Sequence, residues 1–340
     1  MDRRSFLRNA LVGTASAGAA CATATLGSDS AEAGTLFDRG ALDVPPKAVG
    51  MIYDSTLCIG CQACVAACKD ANDMSAAMPK ELAGWNEGTW DTPRALSGDT
   101  LNIIQAYVHG TADTKDREEN GFAFVKRHCL HCVDPSCVSV CPVGAMAKDA
   151  EDGIVSHDPD RCIGCRYCMI GCPFGIPKYE YNDAKGEIKK CQLCNHKQAE
   201  GDVPACVDVC PTGASLFGDL KDLEVEIQRR LAMTPGTTYS FPRGDISGKL
   251  GGGIRPGHDA PAATYQSHVY GEKEVGSTQV RYLSAVTPAK LGLPELPEES
   301  FARRSEGMQH TLYKGMIAPF ALLVGLVGLA WRSANKKDQA

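Results

Sequence analysis

The chain has few aromatic side chains and, outside its C-terminal region, few long apolar runs. Phe, Trp and Tyr make up 6% of its 340 residues. Because aromatic side chains contribute much of the buried surface of ordinary cores, a large hydrophobic core is not expected to hold this protein together. The net charge of −6 is unfavourable for a nucleic-acid-binding protein, which needs a basic surface.

The sequence also lacks the patterns of substrate chemistry. It contains no glycine-rich nucleotide-binding loop and no set of residues typical of a nucleophile with its general base. The sequence itself therefore indicates neither kind of site.

Cysteine is what the chain has in abundance. Of its 17 cysteines, sixteen fall into four groups of four, called groups I to IV. Groups I and III have the spacing C-x2-C-x2-C-x3-C, group II has C-x2-C-x4-C-x3-C, and group IV has C-x2-C-x11-C-x3-C. The members are Cys58, Cys61, Cys64 and Cys68 (I); Cys129, Cys132, Cys137 and Cys141 (II); Cys162, Cys165, Cys168 and Cys172 (III); and Cys191, Cys194, Cys206 and Cys210 (IV).

The spacing of groups I and III is that of bacterial ferredoxins, which bind cubane iron–sulfur clusters. Cysteines at i, i+3 and i+6 of a tight loop direct three thiolates at three irons of one cluster. Proline follows the fourth cysteine at Pro142, Pro173 and Pro211, where it fixes φ and turns the chain, whereas Lys69 takes this place in group I. The pattern predicts four [4Fe–4S] clusters, with iron bound through all sixteen cysteines, and a role in electron transfer.

In two-cluster ferredoxins the fourth cysteine of a group ligates the neighbouring cluster. Groups II and III are adjacent and form one pair, so groups I and IV are expected to pair around them. Four ligand sets follow, one for each cluster: Cys58, Cys61, Cys64 and Cys210 (set 1); Cys129, Cys132, Cys137 and Cys172 (set 2); Cys162, Cys165, Cys168 and Cys141 (set 3); and Cys191, Cys194, Cys206 and Cys68 (set 4).

Three other interpretations of the cysteines remain open. Disulfides are common in exported proteins, although cysteines three residues apart pair poorly. Structural zinc shares the C-x2-C spacing, but it does not account for the third cysteine of each triad or for the Cys-Pro ends. The longer spacings in groups II and IV also permit a smaller or degraded cluster at some sites.

Histidines and basic residues flank several ligand cysteines: His128, His131, His196, Arg166, Lys189 and Lys190. Because the cysteine count is complete, the histidines are expected to form hydrogen bonds or to lie exposed. The basic residues either tune cluster potentials through their charge or are simply solvated.

The N-terminal segment is typical of an export signal. Arg3 and Arg4 form a twin-arginine motif, residues 10–26 are modestly apolar, and residues 31–33 (Ala-Glu-Ala) match a signal-peptidase site. Cleavage there would remove Cys21, the one cysteine outside the groups; the alternative is that Cys21 is lipidated. The twin-arginine route exports folded proteins, which suits a protein that receives its clusters in the cytoplasm.

Residues 315–331 (GMIAPFALLVGLVGLAW) are uncharged and mostly apolar, and their length is at the short end of a membrane span. Basic residues follow at positions 332, 336 and 337, which favours a cytoplasmic C-terminus. The sequence therefore predicts a single-pass C-terminal anchor at 313–332, with the bulk of the protein on the periplasmic side of the cytoplasmic membrane. A buried core helix is the alternative.

The predicted fold is α+β, with two interleaved ferredoxin-like double [4Fe–4S] units, an extended C-terminal segment and one transmembrane helix. Strands are expected at 51–57, 122–126 and 153–157, a short helix at 205–209, and an amphipathic helix at 220–233. The expected layout is a signal peptide (1–33), a first unit (34–73 with 186–233), a surface insertion with Trp85 and Trp90 (74–120), an inserted second unit (121–185), an extended wrapping segment (234–312), the anchor (313–332) and a cytoplasmic tail (333–340).

These motifs resemble the four-cluster ferredoxin-like subunits of membrane-bound respiratory oxidoreductases, and most closely the iron–sulfur subunits of the hydrogenase-2 type. The resemblance covers nearly the whole chain, including the signal and the anchor. The stretches that carry it are MIYDSTLCIGCQACV (51–65), EENGFAFVKRHCLHCVDPSCVSVCPV (118–143), GIVSHDPDRCIGCRYCMIGCPF (153–174), YGEKEVGSTQV (270–280) and QHTLYKGM (309–316).

The resemblance implies a non-catalytic subunit that receives electrons from a periplasmic [NiFe] hydrogenase, with its small and large subunits, and passes them to an integral membrane quinone-reducing subunit. It implies no nucleic acid and no small-molecule substrate of its own. One alternative is the β-subunit of a membrane-bound formate dehydrogenase-type molybdoenzyme, which shares the four groups but typically has no twin-arginine signal. Another is a non-redox, metal-stabilised scaffold that docks an enzyme to the membrane.

Overall fold

The computed structural model describes residues 39–74, 95–181, 186–251, 253 and 255–335. The predicted signal with Cys21, the two tryptophans of the insertion and the last part of the tail lie outside the described residues. Two compact units are distinguished: residues 40–305, and a second that comprises residue 39 and residues from 306 onward.

The described residues form strands and helices of mixed α and β type. The strands are β1 (Val49–Asp54), β2 (Ile103–Val108), β3 (Thr114–Lys115), β4 (Gly121–Arg127), β5 (Met146–Lys148), β6 (Val155–His157), β7 (Lys178–Tyr179), β8 (Ile188–Lys189), β9 (Ser215–Asp219), β10 (Thr238–Phe241), β11 (Gly244–Asp245), β12 (His258–Pro261) and β13 (Val280–Leu283). The helices are α1 (Ala63–Asp70), α2 (Ser136–Ser139), α3 (Tyr167–Gly171), α4 (Asn195–Ala199), α5 (Ala205–Asp208), α6 (Leu220–Leu231) and α7 (Phe301–Asn335).

Strand β1 is central to a four-stranded sheet of order β11-β9-β1-β13. It pairs antiparallel with β9 and parallel with β13. Its apolar run is buried on both faces: Met51 and Tyr53 pack in the core that contains half of the grouped cysteines, and Ile52 packs on the other face beside Leu223 of α6. Buried strands of this kind are expected to show continuous apolar runs.

A second sheet has the order β2-β4-β3, and strands β2 and β3 belong to the segment 74–120. Strand β2 pairs along its whole length with β4, and Ile103 and Ile104 are buried. Residues 101–104 are therefore part of the core, because β4 needs a partner strand to satisfy its backbone hydrogen bonds, whereas residues 108–120 are partly or fully exposed.

The segment 234–312 also takes part in the central sheet. Its strand β13 completes one edge of the central sheet. Immediately before β13, the Gln279 N–H donates to the carbonyls of Leu130 and His131, both at 3.1 Å. This segment therefore joins the central sheet to the loop of group II.

Helix α6 is amphipathic, as predicted. Leu220, Leu223 and Ile227 are buried, whereas Val225 is 71% exposed. Near its end, Arg230 is fully buried and forms ion pairs with Asp54 at 2.8 Å and with Glu226 at 2.7 Å. This network ties α6 to the end of β1, from which the chain enters group I.

Helix α7 begins at Phe301 rather than at residue 313. Ser300 caps it, because its Oγ accepts hydrogen bonds from the N–H groups of Ala302 and Arg303 at 3.1 and 3.3 Å. Within the described residues, the part Phe301–Arg332 is the one helix long and apolar enough to cross a membrane, and none of its apolar window is buried. The alternative of a buried core helix does not fit this exposure.

Replacing Arg230 by Met is expected to lower the free energy of unfolding by about 3–5 kcal/mol, because Asp54 and Glu226 would stay buried without their partner. The neighbouring Arg229 is a matched control, since it also pairs with Glu226 but is 41% exposed. Replacing Arg229 by Met should cost less than about 1 kcal/mol. Urea-unfolding midpoints measure both effects, and equal midpoints for the two variants would contradict the prediction.

Candidate iron–sulfur centres

The pairing of β1 with β9 brings the start of group I and the end of group IV to one end of the central sheet. Tyr53 of β1 is opposite Ser215 of β9 in the antiparallel register. Cys58 follows β1 closely and Cys210 shortly precedes β9. The backbone therefore places these two cysteines together, although the whole of groups II and III lies between them in sequence.

The thiols of set 1 line a single cavity. Cys58, Cys61, Cys64 and Cys210 all line one small pocket, with a cavity volume of about 20 Å³. Burial raises the pKa of the Cys64 thiol to about 12, and the charges of Cys58 and Cys210 act in the same direction. Four soft sulfur ligands around a shared space suit a multi-iron cluster.

The thiols of set 4 are neighbours in the same way. The pKa of Cys68 is raised well above its ordinary value, first by burial and then by the nearby thiolates of Cys191, Cys206 and Cys194. Helix α1, which carries Cys68, packs against α5, which carries Cys206. The last cysteine of group I is thus adjacent to group IV.

At set 2, one cysteine of group III lies near three cysteines of group II. Burial raises the pKa of Cys132 well above its ordinary value, and the thiolates of Cys172, Cys129 and Cys137 raise it further. Cys172 is the last cysteine of group III, whereas the other three belong to group II. The packing of α2 against α3 brings them together.

At set 3, Cys141, the last cysteine of group II, lies near the first three cysteines of group III. Burial raises the pKa of Cys168 to about 11, and the nearby thiolates of Cys162, Cys165 and Cys141 contribute. Burial acts on Cys141 in the same sense, but the backbone N–H groups of residues 143–146 reverse this and lower its pKa. The Met146 N–H donates to Cys141 Sγ at 3.4 Å. A thiolate is therefore stabilised in this loop before any metal binds.

The C-x-G-C loops need residues with positive φ. Gly60 and Gly164 have φ of +69° and +67°, and Gln62 and Arg166, which start α1 and α3, are also left-handed. This left-handed backbone directs N–H groups towards sulfur. For example, the Gly164 N–H donates to Cys162 Sγ at 3.5 Å. Such N–H···S hydrogen bonds are a means by which proteins set cluster potentials.

The other interpretations of the cysteines fit these observations less well. All sixteen cysteines of the four groups are free thiols. Among the described residues, no three Cys, His, Asp or Glu side chains stand close enough to hold a single metal ion. The four cysteines of set 1 line a shared pocket, as the ligands of a multi-iron cluster do.

The flanking residues divide into buried and exposed ones. His131 is buried, and its Nδ1 accepts a hydrogen bond from Val155 N–H at 3.0 Å. Lys190 is also buried and donates to the Cys191 carbonyl at 3.0 Å, whereas Arg166 stacks 4.2 Å from the ring centroid of Tyr179. Of the three basic residues, Lys190 is thus the one removed from solvent.

Sequence reasoning missed Lys126, which is fully buried on β4 and next to the cysteines of sets 1 and 4. No motif distinguishes it, because it lies in a short strand between ordinary polar and apolar residues. A lysine at an inward position of a predicted strand was the available signal.

Comparison with known proteins agrees with this geometry. Residues 121–220 match the family model of the 4Fe-4S dicluster domain, and residues 55–73 match that of the 4Fe-4S binding domain. The hydrogenase-2 operon protein HybA of Escherichia coli O157:H7 is 49% identical over 294 residues, which cover 85% of this chain and 86% of the relative. The chain belongs to the HybA family of iron–sulfur proteins.

Other relatives are subunits of different oxidoreductases. The iron–sulfur subunit of nitrate-inducible formate dehydrogenase from Escherichia coli (strain K12) is 30% identical over 81% of this chain and 83% of its own length. A subunit of anaerobic dimethyl sulfoxide reductase from the same strain is 35% identical over 62% of this chain and 92% of its own length. HybA is more similar to this chain than either of them, and the resemblance seen in the motifs is confirmed.

The two C-x-G-C loops differ in the space available to their glycines. A Cβ on Gly60 would lie 2.5 Å from the Phe124 ring, whereas a Cβ on Gly164 would meet only Tyr179, at 3.8 Å. Since both glycines have positive φ, Gly164→Ala should cost about 1–2 kcal/mol of backbone strain. Gly60→Ala adds a steric clash beside set 1. It should therefore lower both the midpoint of unfolding and the iron content of the protein more than Gly164→Ala does. Equal losses in the two variants would refute this packing.

Proposed function

We propose that the four sets hold four [4Fe–4S] clusters, cluster 1 in set 1 through cluster 4 in set 4, within two interleaved ferredoxin-like units. The observation that carries this is the cavity of set 1, in which Cys210 of group IV joins three thiols of group I. The thiolate neighbours of Cys68, Cys132 and Cys168 support the other three sets. The clusters supply one-electron reduction and re-oxidation when bound.

The electrostatic neighbours across sets support an order for the electron-transfer chain. In three pairs, the charge of a cysteine in one set raises the pKa of a cysteine in another: Cys206 acts on Cys64, Cys129 on Cys191, and Cys168 on Cys137. This proximity supports the order 1–4–2–3. The two exposed cysteines support the same order. Cys61 belongs to set 1 and Cys165 belongs to set 3, and these sets are the two ends of the chain of clusters. The ends can then meet partners, and the protein shields the inner sets from water.

We infer that this chain is a non-catalytic electron-transfer subunit of a hydrogenase-2-type complex. Its similarity to a hydrogenase-2 operon protein supports a [NiFe] hydrogenase, with small and large subunits, as the donor, and a membrane quinone-reducing subunit as the acceptor. The formate dehydrogenase relative is less similar, and its catalytic partner remains the second candidate.

The same proposal includes location. The twin-arginine motif supports export of the folded protein, and the exposed apolar helix α7 supports a single-pass anchor at the periplasmic side of the cytoplasmic membrane.

In the proposed arrangement of two interleaved ferredoxin-like units, the first unit comprises residues 34–73 and 186–233. The second comprises residues 121–185, which lie between them in sequence.

Hydrogen is expected to reduce the clusters in a complex purified through this chain, and added quinone is expected to re-oxidise them. Anaerobic visible and electron paramagnetic resonance spectra measure both steps. Reduction by formate but not by hydrogen would favour the formate dehydrogenase type. Clusters that neither donor reduces would support the scaffold instead.

Exchange of the fourth cysteines has its own test. Cys172→Ser should damage cluster 2, whose other ligands are in group II, and Cys141→Ser should damage cluster 3, whose other ligands are in group III. The two variants are controls for each other, and spectroscopy of the reduced proteins identifies the lost signal. If each substitution damaged only the cluster of its own group, the ligand sets would be wrong.

A further inference from the structure

Lys126 is a buried cation at the junction of two proposed ligand sets. Its side chain extends from β4 to the central sheet and is fully removed from solvent. Its Nζ donates to Ser215 Oγ at 3.1 Å and lies 3.8 Å from Met51 Sδ. These two partners belong to β9 and β1, the strands that leave group IV and enter group I.

Two tyrosines hold the backbone of β4 in this place. The Tyr53 hydroxyl donates to the Phe124 carbonyl at 3.1 Å, and the Tyr282 hydroxyl donates to the Lys126 carbonyl at 2.9 Å. Both tyrosines belong to the central sheet and are buried. The ammonium group is therefore fixed with respect to the cysteines that surround it.

The electrostatic neighbours of Lys126 belong to sets 1 and 4. Burial raises the pKa values of Cys64, Cys68 and Cys194, and the charge of Lys126 acts against this at each of them. Ser215, which accepts the hydrogen bond from Lys126 Nζ, also lines the pocket of set 1. The geometry therefore places the ammonium group, which is the ordinary form of lysine at neutral pH, beside that pocket.

We propose that Lys126 raises the reduction potentials of the clusters in sets 1 and 4, and so makes this half of the chain of clusters the better electron acceptor. A cluster with four thiolates is anionic and gains one further negative charge on reduction. A fixed positive charge nearby, in a medium of low dielectric constant, favours the reduced state. The proposal rests on the ligand sets proposed above, but not on the identity of the hydrogenase.

The test replaces Lys126 by Met, which keeps much of the volume and removes the charge, and by Arg, which keeps the charge. Redox titrations followed by electron paramagnetic resonance measure the potential of each cluster. In Lys126→Met the reduction potentials of the clusters in sets 1 and 4 should fall. At a given solution potential, their ratio of reduced to oxidised cluster should decrease about tenfold, which corresponds to about 59 mV for a one-electron couple. Lys126→Arg should restore most of this shift.

Lys148 is the matched control, because it is a half-buried lysine beside set 2. Its Nζ donates to the carbonyls of Cys132 and Gly153 at 3.1 and 2.8 Å. Lys148→Met should leave the potentials of sets 1 and 4 unchanged. Unchanged potentials in Lys126→Met, or equal shifts in the Met and Arg variants, would overturn the proposal.

Iron and sulfide analysis shows whether Lys126→Met retains its clusters. Should clusters be lost, Ser215→Asp gives a second test, because a carboxylate beside the ammonium group would neutralise it without removing it. The same two potentials should then fall, and potentials that stay in place would overturn the proposal. Failure of the cluster assignment is seen separately, as fewer than four couples in the unsubstituted protein.

Discussion

The burial of thiol ligands is the constraint on which the rest of the structure depends. A thiolate is costly in the protein interior, and burial raises the pKa values of Cys64 and Cys191 to about 12. The positive charge of bound iron relieves this cost, so cluster binding and folding are coupled. The protein adds smaller contributions of the same sign, from the N–H groups around Cys141 and from the buried ammonium of Lys126.

The remainder of the fold positions the cysteine loops. The pairing of β1 with β9 brings the first group close to the last, and the helix pairs α1–α5 and α2–α3 bring together cysteines of the groups that we propose to share clusters. Arg230 fixes the end of β1, and Tyr53 and Tyr282 dock β4 onto the central sheet. Each of these contacts acts on a strand that leads into or out of a cysteine group.

Much of this follows from spacing, and the rest depends on long-range pairing. The C-x2-C-x2-C-x3-C groups and the period of α6 are local, so the sequence predicts the helix well and is sufficient to propose the ligands. The partner of β4 is not local: β2 leads into no cysteine group and is separated from β4 in sequence, so no local pattern marked it, and the segment 74–120 was therefore expected at the surface. The roles of β13 and Lys126 also depend on contacts between distant strands, which no local pattern reveals.

The central claim is that this chain carries electrons through four clusters in a hydrogenase complex, and metal analysis of the complex tests it most directly. The complex would be purified from gently solubilised membranes through this chain. The account predicts nickel, together with about sixteen irons attributable to this chain, four for each cubane. Iron with molybdenum or tungsten would contradict the hydrogenase assignment, and zinc without iron would contradict the electron-transfer function itself.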